Sequence, residues 1–330
     1  MSIKPFLGGF FQRILRNPKG FISNAVSYLN IPTYDGKNQM THPDIICFDK
    51  PWNGFRYWMS MTPYADYDFR LENPSLVVSD DGQKWRVPEG LINPLVPAPE
   101  YEKDYNNDPE LVYNDATDEL YLYYQTIDTR NNLIAVRMIK SSDGVQWSKP
   151  IDIMNVPCHQ WVSPSIIKQN NLFKAWTVNA GTEGLRPKST KVEYRESTDG
   201  IQWTPSKKVA LFHPEYVIWH PNVIYVQGKD EYWMVWSGYA PGRKGFALFF
   251  STSRDGLNWT ICEKPILTPS GRGHWDDKRI YRAALLYDNQ NDLLRIWYSA
   301  VNRNRNWHIG YVETNYNSHI TKLRKLEGLK

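Results

Sequence analysis

Two histidines, an arginine and three carboxylates recur at matching places along this chain. His42, Asp108, Ser163 and His220 each stand immediately before a proline, and Arg282 takes the same place when Tyr287 is matched with Tyr113 and Tyr225. Side chains alternate along a strand, so Asp44, Glu110, Ser165 and Asn222, two residues on, should face the same way one step deeper, with Ala284 the apolar exception. Titratable groups converging in a concave mouth can bind anions or move protons. Two carboxyl groups flanking a glycosidic bond, one protonated and one acting as base or nucleophile, can hydrolyse it. Asp44 is the candidate base or nucleophile. Glu72, ahead of Glu110, is the candidate acid, because it precedes Asn73-Pro74 where partial burial would raise its pKa. His42, His220 and Arg282 would then hold an anionic group, or phosphate if the reaction is a phosphorolysis with one catalytic carboxyl.

Further polar and aromatic residues gather in the segments expected to surround this ring. They include Tyr64, Asp66, Asp68, Arg70, Asp128, Arg130, Glu183, Arg186, Lys188, Tyr239, Arg243, Lys244, Arg303, Arg305 and the run His274 to Arg279, which contains Asp277. Aromatic faces stack on sugar rings and arginine pairs bidentately with carboxylate or phosphate, so such a rim fits an anionic saccharide better than a neutral one. Tyr64 and Trp161 are the candidate stacking residues; Arg70, Asn222 and Asp277 join the substrate-binding set. Ordinary polar strand ends and solvated surface charge are the competing explanation for any one of them.

A repeat supplies the elements that would position these residues. The string S-x-D-G-x-x-W occurs four times, at Ser79–Trp85, Ser141–Trp147, Ser197–Trp203 and Ser253–Trp259. The tryptophans are spaced 62, 56 and 56 residues apart, one supersecondary unit per repeat. Asp-Gly marks a tight turn between strands, and the tryptophan can pack between units. Three strand-like runs precede each turn and one follows, as in DPELVYN, ELYLYYQT and IAVRMIKS before SSDGVQW. Four-stranded units of this length are propeller blades. A fifth unit, IYRAALLYD, LLRIWYSA and WHIGYVET, lacks the turn, and its outer strand is expected from the amino-terminal segment. The reading is therefore all-β: a five-bladed propeller of four-stranded antiparallel blades over 40–315, an amino-terminal helical and closing segment over 1–39, and a tail over 316–330.

Composition agrees with this architecture. An aromatic content of 14% with 22 Pro and 20 Gly favours short strands and turns over helices. A net charge of +4 over 330 residues gives no ground for nucleic-acid binding. Cys47, Cys158 and Cys262 lie far apart and odd in number, which points to buried thiols rather than a disulfide framework or a zinc site. Phe6, Leu7, Phe10, Phe11, Ile14 and Leu15 have roughly helical spacing with basic residues between them, a pattern for a helix packed on the domain or lying on an anionic membrane surface. The absence of a signal-peptide core or spanning segment suggests a cytoplasmic or non-classically released protein, peripheral to membrane in the second case.

The repeat region resembles the five-bladed propeller glycoside hydrolases, the group of arabinanases, β-xylosidases, invertases and β-mannoside phosphorylases. Asn107-Asp108-Pro109-Glu110-Leu111-Val112-Tyr113 looks like that family's second-blade Asp-Pro strand, which implies that Asp108 tunes the acid and orients the substrate. The family's catalytic base stands in a first-blade Asp-Pro pair; this chain has His42-Pro43-Asp44, so Asp44 would substitute. The family's general-acid Glu corresponds to Val162 here, so the usual acid is missing. No cofactor is implied, although some related arabinanases hold a channel calcium near a histidine, a role open to His220. The S-x-D-G-x-x-W turn resembles the sialidase Asp-box but is one residue shorter. The resemblance implies a carbohydrate-active propeller, a glycoside hydrolase-like enzyme acting on a bacterial oligo- or polysaccharide through carboxylates at the channel mouth, with a non-catalytic glycan-binding propeller of a polysaccharide-assembly or phage context, or a glycoside phosphorylase, as alternatives.

Overall fold

Five antiparallel sheets follow one another along the chain, one per repeat. The structure, a computed structural model, describes residues 20–182, 184, 187–241 and 246–329. The amino-terminal helix expected from Phe6 to Leu15 lies outside the described residues, as do Glu183, Arg186, Arg243 and Lys244. No helix among the described residues is long and apolar enough to cross a membrane.

Blade 1 comprises Met40–Trp52, Phe55–Pro63 and Ser75–Ser79. Blade 2 comprises Tyr105–Asn114, Glu119–Asp128, Leu133–Ser141 and Ile151–Pro157. Blade 3 comprises Val162–Gln169, Leu172–Asn179, Lys191–Ser197 and Lys207–Lys208. Blade 4 comprises Val217–Val226, Glu231–Tyr239, Ala247–Ser253 and Thr260–Ile261, and blade 5 comprises Arg279–Asp288, Leu293–Val301 and Trp307–Asn315. Blades 1 and 5 are thus three-stranded, not four-stranded as the repeat suggests. In each a single bridge replaces the outer strand, Val78 with Arg86 and Tyr28 with Gly310. The second bridge closes the ring: Leu29 N–H donates to the Ile309 carbonyl, while Phe21 and Ile22 pair with Pro265 and Ile266. The carboxy-terminal segment packs onto the propeller. Tyr316, Ile320 and Leu323 are buried in the core between blades 4 and 5, and the Glu327 carboxylate accepts from the amides of Glu263 and Lys264.

The repeated turn is built from its own side chains. In each copy the serine hydroxyl (Ser79, Ser141, Ser197, Ser253) accepts the glycine N–H, and the aspartate (Asp81, Asp143, Asp199, Asp255) accepts the two following amides. The glycine also receives an aromatic side chain from the preceding blade. Tyr123 donates its hydroxyl to the Gly200 carbonyl, and the indole N–H groups of Trp176 and Trp297 donate to those of Gly256 and Gly82. The turns therefore latch neighbouring blades together. Gly144 shows why the residue must be glycine: its φ is +75°, and a Cβ there would lie 2.2 Å from the Trp58 ring. Gly144→Ala should lower the unfolding free energy by about 1–3 kcal/mol through overpacking, read from the urea midpoint; an unchanged midpoint would show that the latch contributes nothing.

Candidate functional site

The inner strand of every blade slips register near its start, between Thr41 and Asp44, Asn107 and Glu110, Val162 and Ser165, Trp219 and Pro221, and Ile280 and Ala283. At four of these bulges the residue before proline takes a left-handed backbone: His42 (φ 56°), Asp108 (φ 47°), Ser163 (φ 50°) and His220 (φ 38°). Outside Gly, Asn and Asp this conformation is uncommon and marks local strain, and bulges commonly re-aim side chains beside functional sites. Here they turn His42, Asp108 and His220 into a cavity of about 410 Å³ at one mouth of the channel.

The floor of the cavity is a tight polar cluster. His42 Nε2 lies 3.3 Å from Asp108 Oδ1. Asp108 Oδ2 accepts the Ser163 amide at 2.9 Å and the Gln125 side chain at 3.2 Å, with the Ser163 hydroxyl at 3.3 Å. His42 Nδ1 meets the Thr62 hydroxyl at 3.0 Å, and His220 Nδ1 bonds the Ser163 hydroxyl. These bonds occupy one nitrogen of each ring and one oxygen of the carboxylate. Asp108 Oδ1 and His220 Nε2 are buried with no hydrogen-bond partner. One ligand atom from each of His42, Asp108 and His220 lies within 4.8 Å of the other two. Burial pushes the His42 imidazole down to about 4 despite the nearby Asp108, and holds His220 well below the usual histidine range. Both rings are therefore neutral at pH 7, with lone pairs free to coordinate. Two imidazoles and a carboxylate, each braced by an outer hydrogen bond and leaving coordination positions open, fit a catalytic divalent ion of the zinc class.

Glu72 enters from the loop after the second strand of blade 1, with Oε2 3.8 Å from His42 Nδ1. Burial raises its pKa well above the ordinary carboxylate range, and the charge of Asp108 adds to the rise. Aromatic walls stand above: Tyr64, Tyr67, Tyr105, Phe246, Tyr281 and Trp307 all line the cavity. Tyr281 packs edge-on to His220, with ring centres 4.1 Å apart, and burial raises its hydroxyl pKa far above the usual phenol value.

Other candidates from the sequence lie elsewhere, each for a visible reason. Asp44 does not reach this cavity: Oδ2 accepts the Leu111 amide at 2.7 Å and Oδ1 the Asn222 side chain at 3.0 Å. Glu110 likewise accepts the Ile166 amide at 2.6 Å and the Arg282 guanidinium at 2.5 Å. Ser165 accepts from the Val223 amide and Asn222 from the Leu285 amide. The deeper ring is thus a belt in which each blade from the first to the fourth accepts a backbone amide of the next. Arg282 shares the register of the upper ring, but its side chain is fully buried and binds Glu110 and the Pro164 carbonyl. Arg70 is spent on the carbonyls of Pro99, Tyr101 and Asp104, and Asp277 on the amides of Gly273 and Arg303. Trp161 is fully buried in the core between blades 2 and 3 beneath Arg195, so it offers no sugar-stacking face.

Several lining residues escaped the sequence reading. Asn107, Val162, Trp219 and Tyr281 form a second ring, each one residue ahead of the bulge ring, because a bulge directs two successive residues to the same end. The cluster of His42, Asp108 and His220 that could hold a metal ion was hidden because its members come from three blades, with no close spacing in sequence. A larger groove of about 830 Å³ runs between the edge of blade 4 and a short carboxy-terminal helix, Thr321–Leu326, away from this chemistry.

No family model matches the chain. A curated relative, the A type blood N-acetyl-α-D-galactosamine deacetylase of Flavonifractor plautii, is 30% identical over 92% of this chain, and the match spans about half (49%) of the relative's length. The crystal structure of an N-acetylgalactosamine deacetylase from F. plautii in complex with blood group B trisaccharide superposes with a TM-score of 0.86 at 29% identity, over 93% of this chain and 98% of that one. A thermostable family-43 glycoside hydrolase gives 0.64 at 13% identity over 83% of this chain and 89% of that one. A family-62 hydrolase in complex with xylotriose gives 0.61 at 13% identity over 89% and 98%. The chain is a five-bladed β-propeller that shares its fold with the family-43 and family-62 glycoside hydrolases and with a glycan deacetylase.

Proposed function

We propose that the chain is a carbohydrate-active hydrolase that removes the acetyl group from an N-acetylated hexosamine of a glycan. The observation that carries this reading is the cluster of His42, Asp108 and His220 at the floor of an aromatic cavity. The similarity to the F. plautii deacetylase supports the same chemistry. A divalent ion held by these three side chains would polarise the acetamide carbonyl and activate a water molecule. Thr62 and Ser163 fix the two imidazole rings, and the Ser163 and Gln125 donors orient the carboxylate. Hydrolysis breaks the amide C–N bond, forms a C–O bond from water and delivers a proton to the departing nitrogen, giving acetate and a free amine. Glu72, beside His42, is the carboxyl group available to carry that proton. The Tyr281 hydroxyl is a donor for the carbonyl oxygen as negative charge develops on it. Tyr64 and Tyr67, both partly exposed in the cavity, provide faces for the sugar.

A second reading, hydrolysis of a glycosidic bond, is favoured by the presence of two carboxyl groups, Glu72 and Asp108, in the same cavity. One experiment separates the two. The protein is incubated with N-acetylated oligosaccharides while free acetate and new reducing ends are followed together, before and after chelation and return of zinc. Acetate without reducing ends, lost on chelation and restored by zinc, is the expected result. Reducing ends without acetate would overturn the deacetylase reading in favour of glycosidic cleavage, and binding with neither product would leave a glycan-recognition propeller.

A further inference from the structure

Arg279 differs from Arg70, Arg282 and Arg303 at this end of the propeller. Arg70 donates to three backbone carbonyls, Arg282 donates through Nη2 to Glu110 and the Pro164 carbonyl while its Nε and Nη1 make no hydrogen bond, and Arg303 pairs with Asp277. Arg279 opens the inner strand of blade 5, and its side chain lines the cavity above the His42, Asp108 and His220 cluster. Its guanidinium lies over the Phe246 ring, 5.1 Å from the centroid, and acts electrostatically on Tyr64, Tyr281 and His220. It makes no hydrogen bond or ion pair among the described residues. Its Nε is buried and has no partner.

A buried N–H donor without an acceptor is costly, and a guanidinium more so. Stacking on Phe246 leaves the in-plane donors free, and that edge of the fork matches the two oxygens of a carboxylate. The side chain faces a cavity, so a ligand can supply the acceptor. We infer that Arg279 is a carboxylate-binding residue of this cavity, engaging either a hexuronate adjoining the N-acetylated sugar or the acetate released from it. The acetate alternative rests on the deacetylase reading; the hexuronate alternative requires only that a glycan occupies the cavity.

Binding calorimetry tests this on the wild type and on Arg279→Gln and Arg279→Lys. The probes are an oligosaccharide alternating hexuronate with N-acetylhexosamine, the same oligosaccharide with its carboxyl groups reduced to alcohols, and sodium acetate. The expected result for hexuronate is at least tenfold tighter binding of the acidic oligosaccharide than of the reduced one. That preference should disappear in Arg279→Gln and persist only in part in Arg279→Lys, which keeps the charge but not the fork. If acetate is the occupant, the two oligosaccharides bind alike, while acetate binds the wild type at least tenfold tighter than Arg279→Gln. Equal binding of the two oligosaccharides together with no effect of Arg279→Gln on acetate overturns the inference, as does a preference that survives Arg279→Gln unchanged. Thermal melts establish that the variants fold, and Arg279→Lys gives the comparison if Arg279→Gln does not. Because binding is read separately from acetate release, a carboxylate preference in a protein that releases no acetate would refute the deacetylase reading and leave Arg279 as a ligand residue.

Discussion

Asp108→Asn will lose zinc binding and acetate release together, each by more than the roughly 10–100-fold that removal of an outer hydrogen-bond partner costs a metal site. The carboxylate is the only anionic member of the cluster with an oxygen left over: Oδ2 is committed to the Ser163 amide and the Gln125 side chain, whereas Oδ1 is buried without a hydrogen-bond partner beside His42 Nε2. Asparagine keeps the shape and can still accept the Ser163 amide through its carbonyl, so the bulge survives. What it loses is the negative charge that offsets a dication. Ser163→Ala gives a graded companion. It removes the hydroxyl that orients His220 Nδ1 but leaves all three ligands, so zinc affinity should fall only by the roughly 10–100-fold of an outer partner. Zinc titration followed by acetate release on the same samples checks both. If Asp108→Asn keeps zinc affinity and turnover, the cluster is a structural hydrogen-bond network and the proposed chemistry fails.

Arg282→Met should have the largest effect on stability, a loss of about 3–5 kcal/mol, as expected when one partner of a buried ion pair is removed. The guanidinium is fully buried and joins the inner strands of three blades: its own, that of Glu110 and that of Pro164. Its Nη1 also lies 3.6 Å from Asp108 Oδ1. Methionine fills much of the volume but leaves the Glu110 carboxylate in the channel without its cation. The double variant Arg282→Met, Glu110→Gln should recover part of the loss, because the stranded charge is then gone. Urea unfolding of the single and double variants reads this directly. A single-variant cost below about 1 kcal/mol, the scale of an exposed pair, would mean that water reaches the belt and the channel is open there.

The deeper ring illustrates how far register alone reaches. Asp44, Glu110, Ser165 and Asn222 were identified from the sequence as one ring, and they do form one; each also accepts a backbone amide of the next blade. A polar residue facing a propeller channel can serve a ligand or a neighbouring blade, and nothing in its own strand says which. Tyr281 and Trp307 went unnoticed for a related reason. Each reads as an ordinary strand aromatic, and only the approach of His220, Tyr64 and Tyr67 from other blades makes their neighbourhood a cavity. Arg70 and Arg279 look alike in sequence, both arginines in rim segments, but one bends inward to carbonyls of residues 99–104 while the other is left facing the cavity over Phe246.

By itself the sequence determined the number of blades, the turns that delimit them and the ring of residues before each proline. Those features rest on local bonds, such as Ser79 to Gly82 and Asp81 to Gln83, and on the backbone limits that proline and glycine impose on their neighbours. Only the tertiary structure decided which ring atoms stay unsatisfied, that the Arg279 guanidinium faces the cavity without an acceptor and which aromatic side chains line the cavity. These outcomes depend on competition for hydrogen-bond partners among side chains brought together from different blades, and long side chains such as arginine can reach any of several acceptors within the same few ångströms.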